Sequence, residues 1–81
     1  MRNEFLIALC WLNCLDFHLE QKGYHIRFYK MPEPEKIIKA YEFLSPFICN
    51  PRDVKERTIL KICDDPIGMR YIGYGAMRRD N

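Results

Sequence analysis

The sequence predicts a small α+β protein in which a three-stranded antiparallel sheet packs against two helices, in the order α-β-α-β-β. Three observations predict this architecture. Residues 3–22 contain neither glycine nor proline and precede Gly23, residues 24–30 alternate apolar and polar side chains, and residues 58–63 are rich in β-branched side chains. A mostly α fold with a helix-turn-helix-like pair is the alternative, and residues 50–65 decide between the two folds.

Length and composition predict a single small globular domain that spans residues 1–81. Of the 81 residues, 48% are hydrophobic and 14% aromatic, which provides core material and excludes a disordered chain. A chain of this size buries about 60% of its unfolded surface on folding and often needs a partner subunit, a metal or disulfides for stability.

Charge and the apolar run near the N-terminus give expectations about location. Thirteen Lys and Arg against eleven Asp and Glu leave a net charge of +2, too small to indicate a nucleic-acid or membrane partner by itself. The apolar run 5–12 is about half the length that crosses a bilayer. Trp11, Asn13 and Cys14 follow where a signal peptide needs small residues. We therefore expect a cytoplasmic protein with reduced cysteines and no membrane partner.

The first predicted helix, residues 3–22, is apolar around most of its circumference. Asn13, Asp16 and Glu20 form one narrow polar stripe when residues are placed at helical steps. Phe5 and Leu9 interrupt that stripe in the first half of the helix. The helix is therefore either central in the fold or in contact with another chain, and we predict a homo-oligomer that self-associates through Phe5 and Leu9.

The next two elements have clear local signals. Residues 24–30 alternate as a half-buried strand does. Pro32 and Pro34 end that strand and begin a second helix, because proline is tolerated in the first helical turn. Apolar residues at helical spacing continue to Leu44, and Pro46 ends the helix.

Residues 50–65 have two interpretations, and the first is a strand at 58–63. Its β-branched content favours a strand, and Asp64 and Asp65 would be unfavourable at a helix C-terminus. Turn chemistry follows and leads into a second strand-like run at 69–74. This interpretation predicts one helical turn at 51–56 and then a hairpin.

The rival interpretation makes residues 51–63 a third helix in a helix-turn-helix-like arrangement. Asn50 would cap that helix and Pro51 would take its first position. If this segment is helical and its basic residues are exposed on one side, nucleic-acid binding gains support. Those basic residues are Arg52, Lys55 and Arg57.

Cys10, Cys14 and His18 recur every four residues, a spacing that could supply part of a zinc site. The three span about 12 Å of helix rise, so they cannot all bind one ion. No pair of cysteines has CxxC spacing, and Gly73 and Gly75 lack the third glycine of a dinucleotide fingerprint. We expect no metal and no cofactor, with Cys10 and Cys14 as small core side chains.

Cysteines, histidines and acids can be combined on paper into a catalytic triad, but geometry rather than inventory identifies a triad. The sequence contains no nucleophile elbow, phosphate-binding glycine loop or metalloprotease motif. We therefore predict no catalytic residues and a protein that is not an enzyme.

Basic and aromatic residues interleave in the two predicted strands, and this composition is the main functional signal. It is common on exposed sheet faces, but it also suits protein interfaces and single-strand binding. The candidate partner-binding residues are Arg27, Tyr29, Arg70, Tyr74, Arg78 and Arg79. We predict a regulatory or inhibitory module that binds another protein, with nucleic-acid binding through the same sheet face as the alternative.

Overall fold

A computed structural model of the protein describes residues 3–26, 33–64 and 78–79, the last two by their backbone. These residues are mostly helical. In chain order the elements are helix α1 (Asn3–Gln21), strand β1 (Tyr24–His25), helix α2 (Pro34–Leu44), a 3-10 helix (Pro51–Asp53), helix α3 (Glu56–Cys63) and strand β2 (Arg78–Arg79).

The predicted three-stranded antiparallel sheet is wrong. Among the described residues, strand pairing is limited to β1 and β2, which run antiparallel with Tyr24 opposite Arg79 and His25 opposite Arg78. Residues 58–63 belong to α3 instead of a hairpin. The predicted strand at 69–74 lies outside the described residues, as does the predicted strand 24–30 beyond Ile26.

The mostly α alternative fits the structure. The segment between α2 and α3, residues 45–55, contains the 3-10 helix, and it is longer than the three- or four-residue turn of a helix-turn-helix motif. The helical turn predicted at 51–56 is present only as the 3-10 helix Pro51–Asp53, and α3 follows it where a strand was predicted.

Burial explains why residues 56–63 are helical. Ile59 is 0% exposed and Ile62 is 3% exposed, while Leu60 and Lys61 between them are exposed. A strand would place Ile59 and Lys61 on the same face. Burying two isoleucines contributes about 1.5–3 kcal/mol each, which exceeds the β-propensity scale of about 1 kcal/mol. Asp64, at the helix C-terminus, is exposed and costs at most about 1 kcal/mol against the helix dipole.

Helix α1 confirms the first predicted element. It ends before Gly23, whose φ of 88° is in the left-handed region that favours glycine. The Gly23 N–H donates to the Glu20 carbonyl at 3.0 Å and closes the last turn. The face that α1 buries consists of Ala8, Leu12, Leu15 and Leu19.

Helix α2 packs against α1 and confirms the second predicted helix. It begins at Pro34 and ends at Leu44, two residues before Pro46. Tyr41 meets Trp11 of α1 edge to face, with ring centroids 5.3 Å apart and planes at 79°, an arrangement that aromatic pairs prefer. The remaining core side chains come from α2, α3, β1 and the connecting segment: Tyr24, Ile37, Ala40, Leu44, Ile48, Val54, Ile59 and Ile62.

No helix in the part of the chain that the structure describes has the length and apolar character needed to cross a membrane.

Candidate functional site

Phe47 is presented at the surface by the turn that ends α2. The Ser45 N–H donates to the Tyr41 carbonyl at 2.8 Å, and the N–H groups of Phe47 and Ile48 donate to the Leu44 carbonyl at 3.1 and 3.0 Å. Leu44 and Ile48 are buried on either side of the turn, whereas Phe47 is 54% exposed. The turn therefore holds an aromatic ring outside the core between two buried anchors.

Phe43 supports the Phe47 ring from the helix side. The two ring centroids are 5.9 Å apart and the planes are inclined by 51°. Phe43 is itself half-buried and packs against the core. Within the part of the chain that the structure describes, Phe47 thus has one aromatic neighbour, and about half of its surface stays open for a flat ligand.

A groove lies beside Phe47, between the end of α2 and one flank of α3. Its volume is about 480 Å³, and we call it the Phe47 groove; its lining residues are Pro46, Phe47, Arg57, Thr58 and Lys61. A second depression of about 310 Å³ shares Phe47, Arg57 and Thr58 and extends along residues 48–55. A third, of about 170 Å³ and mostly apolar, lies between Phe43, Phe47, Lys61 and Ile62.

Two cations line the Phe47 groove. Arg57 and Lys61 are four residues apart on α3, so they lie one turn apart on the same flank. Both are exposed, and neither side chain has an ion pair or hydrogen bond with the described residues. Lys55, also exposed, lines the adjoining depression. The guanidinium and ammonium groups are therefore available to an anion.

Acidic residues near the groove are unevenly placed. Asp53 lines the adjoining depression beside Lys55 and offsets part of its positive charge. Glu56, the first residue of α3, accepts a hydrogen bond from the Tyr24 hydroxyl at 3.1 Å. Since successive helical residues are rotated by about 100°, this carboxylate is about 100° from Arg57 around the helix. Among the described residues, the Phe47 groove itself is lined by two cations and no acid.

The 3-10 helix sets the position of Lys55 and the start of α3. The Asn50 side-chain oxygen accepts a hydrogen bond from the Arg52 N–H at 3.0 Å, and Pro51 takes the first position, as the sequence predicts for a helix start. Val54 is 3% exposed and anchors the end of this turn in the core. Arg52, Lys55 and Arg57, the basic residues predicted to be exposed in this segment, are all exposed. Arg52, however, lines neither the Phe47 groove nor either of the two adjoining depressions.

The structure describes no side chain of the predicted partner-binding residues. Arg27, Tyr29, Arg70 and Tyr74 lie outside the described residues, and Arg78 and Arg79 are described only as the backbone of β2. They stay predictions.

The residues predicted for self-association, Phe5 and Leu9, are half-buried and pack against the core. The large apolar side chains that α1 leaves exposed are Leu6, Ile7 and Phe17. These three lie outside the face that packs into the fold.

None of the four cysteines, all of them among the described residues, forms a disulfide. The expectation that Cys10 is a core side chain is wrong, because Cys10 is exposed, and Cys14 is only half-buried. Within residues 3–26 and 33–64, no three His, Cys, Asp or Glu side chains are grouped so that they could hold a metal ion. Burial raises the pKa of the Cys63 thiol above its usual value, and the neighbouring Asp64 carboxylate raises that pKa further.

Sequence reasoning missed Phe47 and Lys61. The sequence does contain a signal for the exposure of Phe47: an aromatic residue directly after the helix-ending Pro46 cannot continue the apolar face of α2. The strand interpretation separates Lys61 from Arg57, and the helical alternative considered only Arg52, Lys55 and Arg57. The helical spacing of Arg57 and Lys61 would have paired them on one face.

Fold and site together define a small helical protein with an exposed aromatic residue beside a basic groove. Comparisons of the chain with protein-family models, with curated proteins and with solved structures found no match.

Proposed function

We propose that the protein binds single-stranded nucleic acid in the Phe47 groove. The observation that carries this proposal is an exposed aromatic ring in the same groove as two unpaired cations, Arg57 and Lys61. Proteins that bind single strands combine base stacking on aromatic side chains with a basic groove that follows the backbone.

Each part of the groove has a separate task in this proposal. Phe47 stacks on an unpaired base, a contact that contributes about 1–3 kcal/mol. Arg57 and Lys61 contact the phosphates on either side, and Lys55 extends the positive surface toward the 3-10 helix. Phe47 can stack only on a base that is free of a duplex, so the proposal favours single strands over duplexes.

The size of the cation set limits the affinity. With three phosphate contacts, from Lys55, Arg57 and Lys61, the binding constant should fall about 20-fold between about 50 mM and about 200 mM salt, since a single strand gives a slope of about −0.7 for each contact. The modest net charge of +2 adds little long-range attraction. We therefore propose weak, salt-sensitive binding without strong base selectivity.

Fluorescence anisotropy with a labelled oligonucleotide of about 12 nucleotides tests the proposal, since this length covers a typical single-strand site of about 4–16 nucleotides. The single strand should bind at low salt, and the same strand annealed to its complement should bind more weakly. Equal binding of single strand and duplex would contradict base stacking on Phe47. Undetectable binding of either at low salt would remove the proposal.

Binding of another protein is the second candidate function, with a regulatory or inhibitory role as its expected form. The exposed apolar side chains of α1, Leu6, Ile7 and Phe17, support an interface on that helix. A pull-down from cell extract with and without nuclease separates the two functions, because a nucleic-acid-mediated partner is lost on nuclease treatment.

A further inference from the structure

We propose that the outer face of α1 is a homodimer interface, on which two copies of α1 pack antiparallel. This inference is independent of the Phe47 groove. It concerns a row of residues on the side of α1 away from its buried face, which we call the outer seam: Asn3, Ile7, Cys10, Cys14, Phe17 and Gln21.

The outer seam is exposed and apolar in its middle. Ile7 is 57% exposed and Phe17 is 58% exposed, Cys10 is exposed and Cys14 is half-buried. Between Glu4 and Glu20, the exposed residues of α1 are Leu6, Ile7, Cys10, Asn13 and Phe17, none of which is charged. An uncharged surface of this kind does not suit a nucleic acid, whereas it suits a protein helix.

The spacing of the outer seam is that of a helix pair. Its positions alternate by four and three residues, which is the spacing that keeps one row of side chains facing a partner helix in a coiled coil. A row with this spacing can pack along a partner helix, and α1 is about 28 Å long, enough for such a contact.

The outer seam is also chemically palindromic about Leu12. Asn3 and Gln21, Ile7 and Phe17, and Cys10 and Cys14 each lie at equal distances before and after that position. In an antiparallel pair, amide therefore faces amide, apolar side chain faces apolar side chain, and thiol faces thiol. The outer seams of two copies of α1 are thus complementary to each other in this arrangement.

The helix dipoles favour the antiparallel arrangement over the parallel one. Glu4, in the first turn of α1, and Lys22, directly after its last residue, are both exposed and lie on the same flank of the outer seam. An antiparallel pair brings Glu4 close to the partner's Lys22 at both ends, and it also opposes the two helix dipoles. A parallel pair would align the two helix dipoles and would leave Glu4 and the partner's Lys22 at opposite ends of the pair.

The geometry places Cys10 within disulfide reach of the partner's Cys14. Packed helices have axes about 8–10 Å apart and Cα atoms about 2.3 Å from each axis, which leaves facing Cα atoms about 3.4–5.4 Å apart. The upper part of this range overlaps the range of about 4.4–6.8 Å that a disulfide spans. Chemical oxidation can therefore report on the orientation of the pair.

Cross-linking in a background with Cys49→Ser and Cys63→Ser tests the orientation. Diamide is added as the oxidant; one S–S bond forms between two thiols, and the two electrons and two protons pass to the diamide N=N bond. In this background, Cys10→Ser retains only Cys14 and Cys14→Ser retains only Cys10. Each variant alone should give no covalent dimer, whereas an equimolar mixture should give a dimer that joins Cys10 of one copy to Cys14 of the other. Covalent dimers from each variant alone, with no gain in the mixture, would overturn the antiparallel arrangement.

Sedimentation under reducing conditions tests the interface itself. The wild-type protein should dimerise with rising concentration, and Ile7→Lys or Phe17→Lys should weaken dimerisation by at least about tenfold. Leu60→Lys is the matched control, because Leu60 is 50% exposed but lies on α3, and it should leave the dimer unchanged. Circular dichroism shows that each variant is still folded. A wild-type protein that stays monomeric at high concentration, or equal weakening by Leu60→Lys, would overturn the proposal.

Discussion

The Tyr24 hydroxyl donates a hydrogen bond to Oε1 of Glu56 at 3.1 Å and thereby joins β1 to the first turn of α3. Tyr24 is 3% exposed, so its ring is a core residue and only its hydroxyl reaches the acid. The contact holds the Glu56 carboxylate on the β1 side of α3. It links the stability of the fold to the charge distribution near the Phe47 groove.

Tyr24→Phe removes this hydrogen bond and keeps the ring. We expect a loss of about 1 kcal/mol in the free energy of unfolding, because a hydrogen bond to a charged acceptor is worth about 1.5–3 kcal/mol and Glu56 is exposed to competing water. Urea unfolding followed by circular dichroism measures it. Tyr41→Phe is the matched control, because no hydrogen bond to the Tyr41 hydroxyl is present among the described residues; an equal loss in both variants would contradict the assignment.

Arg57→Ala and Lys61→Ala should each weaken single-strand binding and make it less sensitive to salt. Each removes one phosphate contact, so the slope of log affinity against log salt should become shallower by about 0.7. Arg52→Ala removes the same charge from an exposed side chain that does not line the groove and serves as the control. Titrations at several salt concentrations measure the slopes; a slope that changes as much in Arg52→Ala as in the groove variants would show that only net charge matters.

Phe47→Ala should lower the affinity for a single strand by about 1–3 kcal/mol, the contribution of one stacked base. Its effect on stability should be small, because Phe47 is 54% exposed. Phe47→Trp should retain binding and add a fluorescence signal that a stacked base quenches. The wild-type protein, with Trp11 as its one tryptophan, is the reference; full affinity in Phe47→Ala would exclude stacking at this position.

Cys63 should react with iodoacetamide more slowly at neutral pH than the exposed Cys10 and Cys49. Burial and the Asp64 carboxylate raise the pKa of the Cys63 thiol, and the thiolate is the reactive form. Asp64→Asn removes the smaller of the two causes and should shift the pH profile of alkylation to lower pH. Mass spectrometry of each modified cysteine measures the profiles.

The same raised pKa gives Cys63 a defined effect on stability. The folded state holds the proton more tightly than the unfolded state, so this contribution is fully present below the pKa of the unfolded thiol. It is lost as the pH rises through the raised pKa of the folded protein. Cys63→Ser should therefore flatten the decline of unfolding free energy at alkaline pH; an unchanged decline would contradict this assignment.

Ile59→Ala should cost about 2–5 kcal/mol of unfolding free energy, as expected for removal of a fully buried aliphatic side chain. Leu60→Ala, at a 50% exposed position next to it, should cost about 0.5 kcal/mol or less. Thermal unfolding measures both. Similar losses at the two positions would contradict the helical register of α3.

The elements that the sequence determined by itself are those with local stereochemical signals. Gly23 ends α1 because glycine adopts the left-handed backbone conformation without the steric cost that a side chain would add. Pro34 and Pro46 bracket α2 because proline lacks an N–H and has a fixed φ. These constraints act within a few residues. They therefore hold whatever the rest of the chain does.

Only the tertiary structure decided α3, the Phe47 groove and the exposed side of α1. Residues 58–63 have local preferences for a strand, and burial of Ile59 and Ile62 in a core built from distant residues outweighs them. The groove joins residues 46–47 to 57–61, so no single segment contains it. A helix that is apolar on most sides does not reveal which side its own chain will bury, because neighbouring elements make that choice, and here they leave Ile7, Cys10 and Phe17 uncovered.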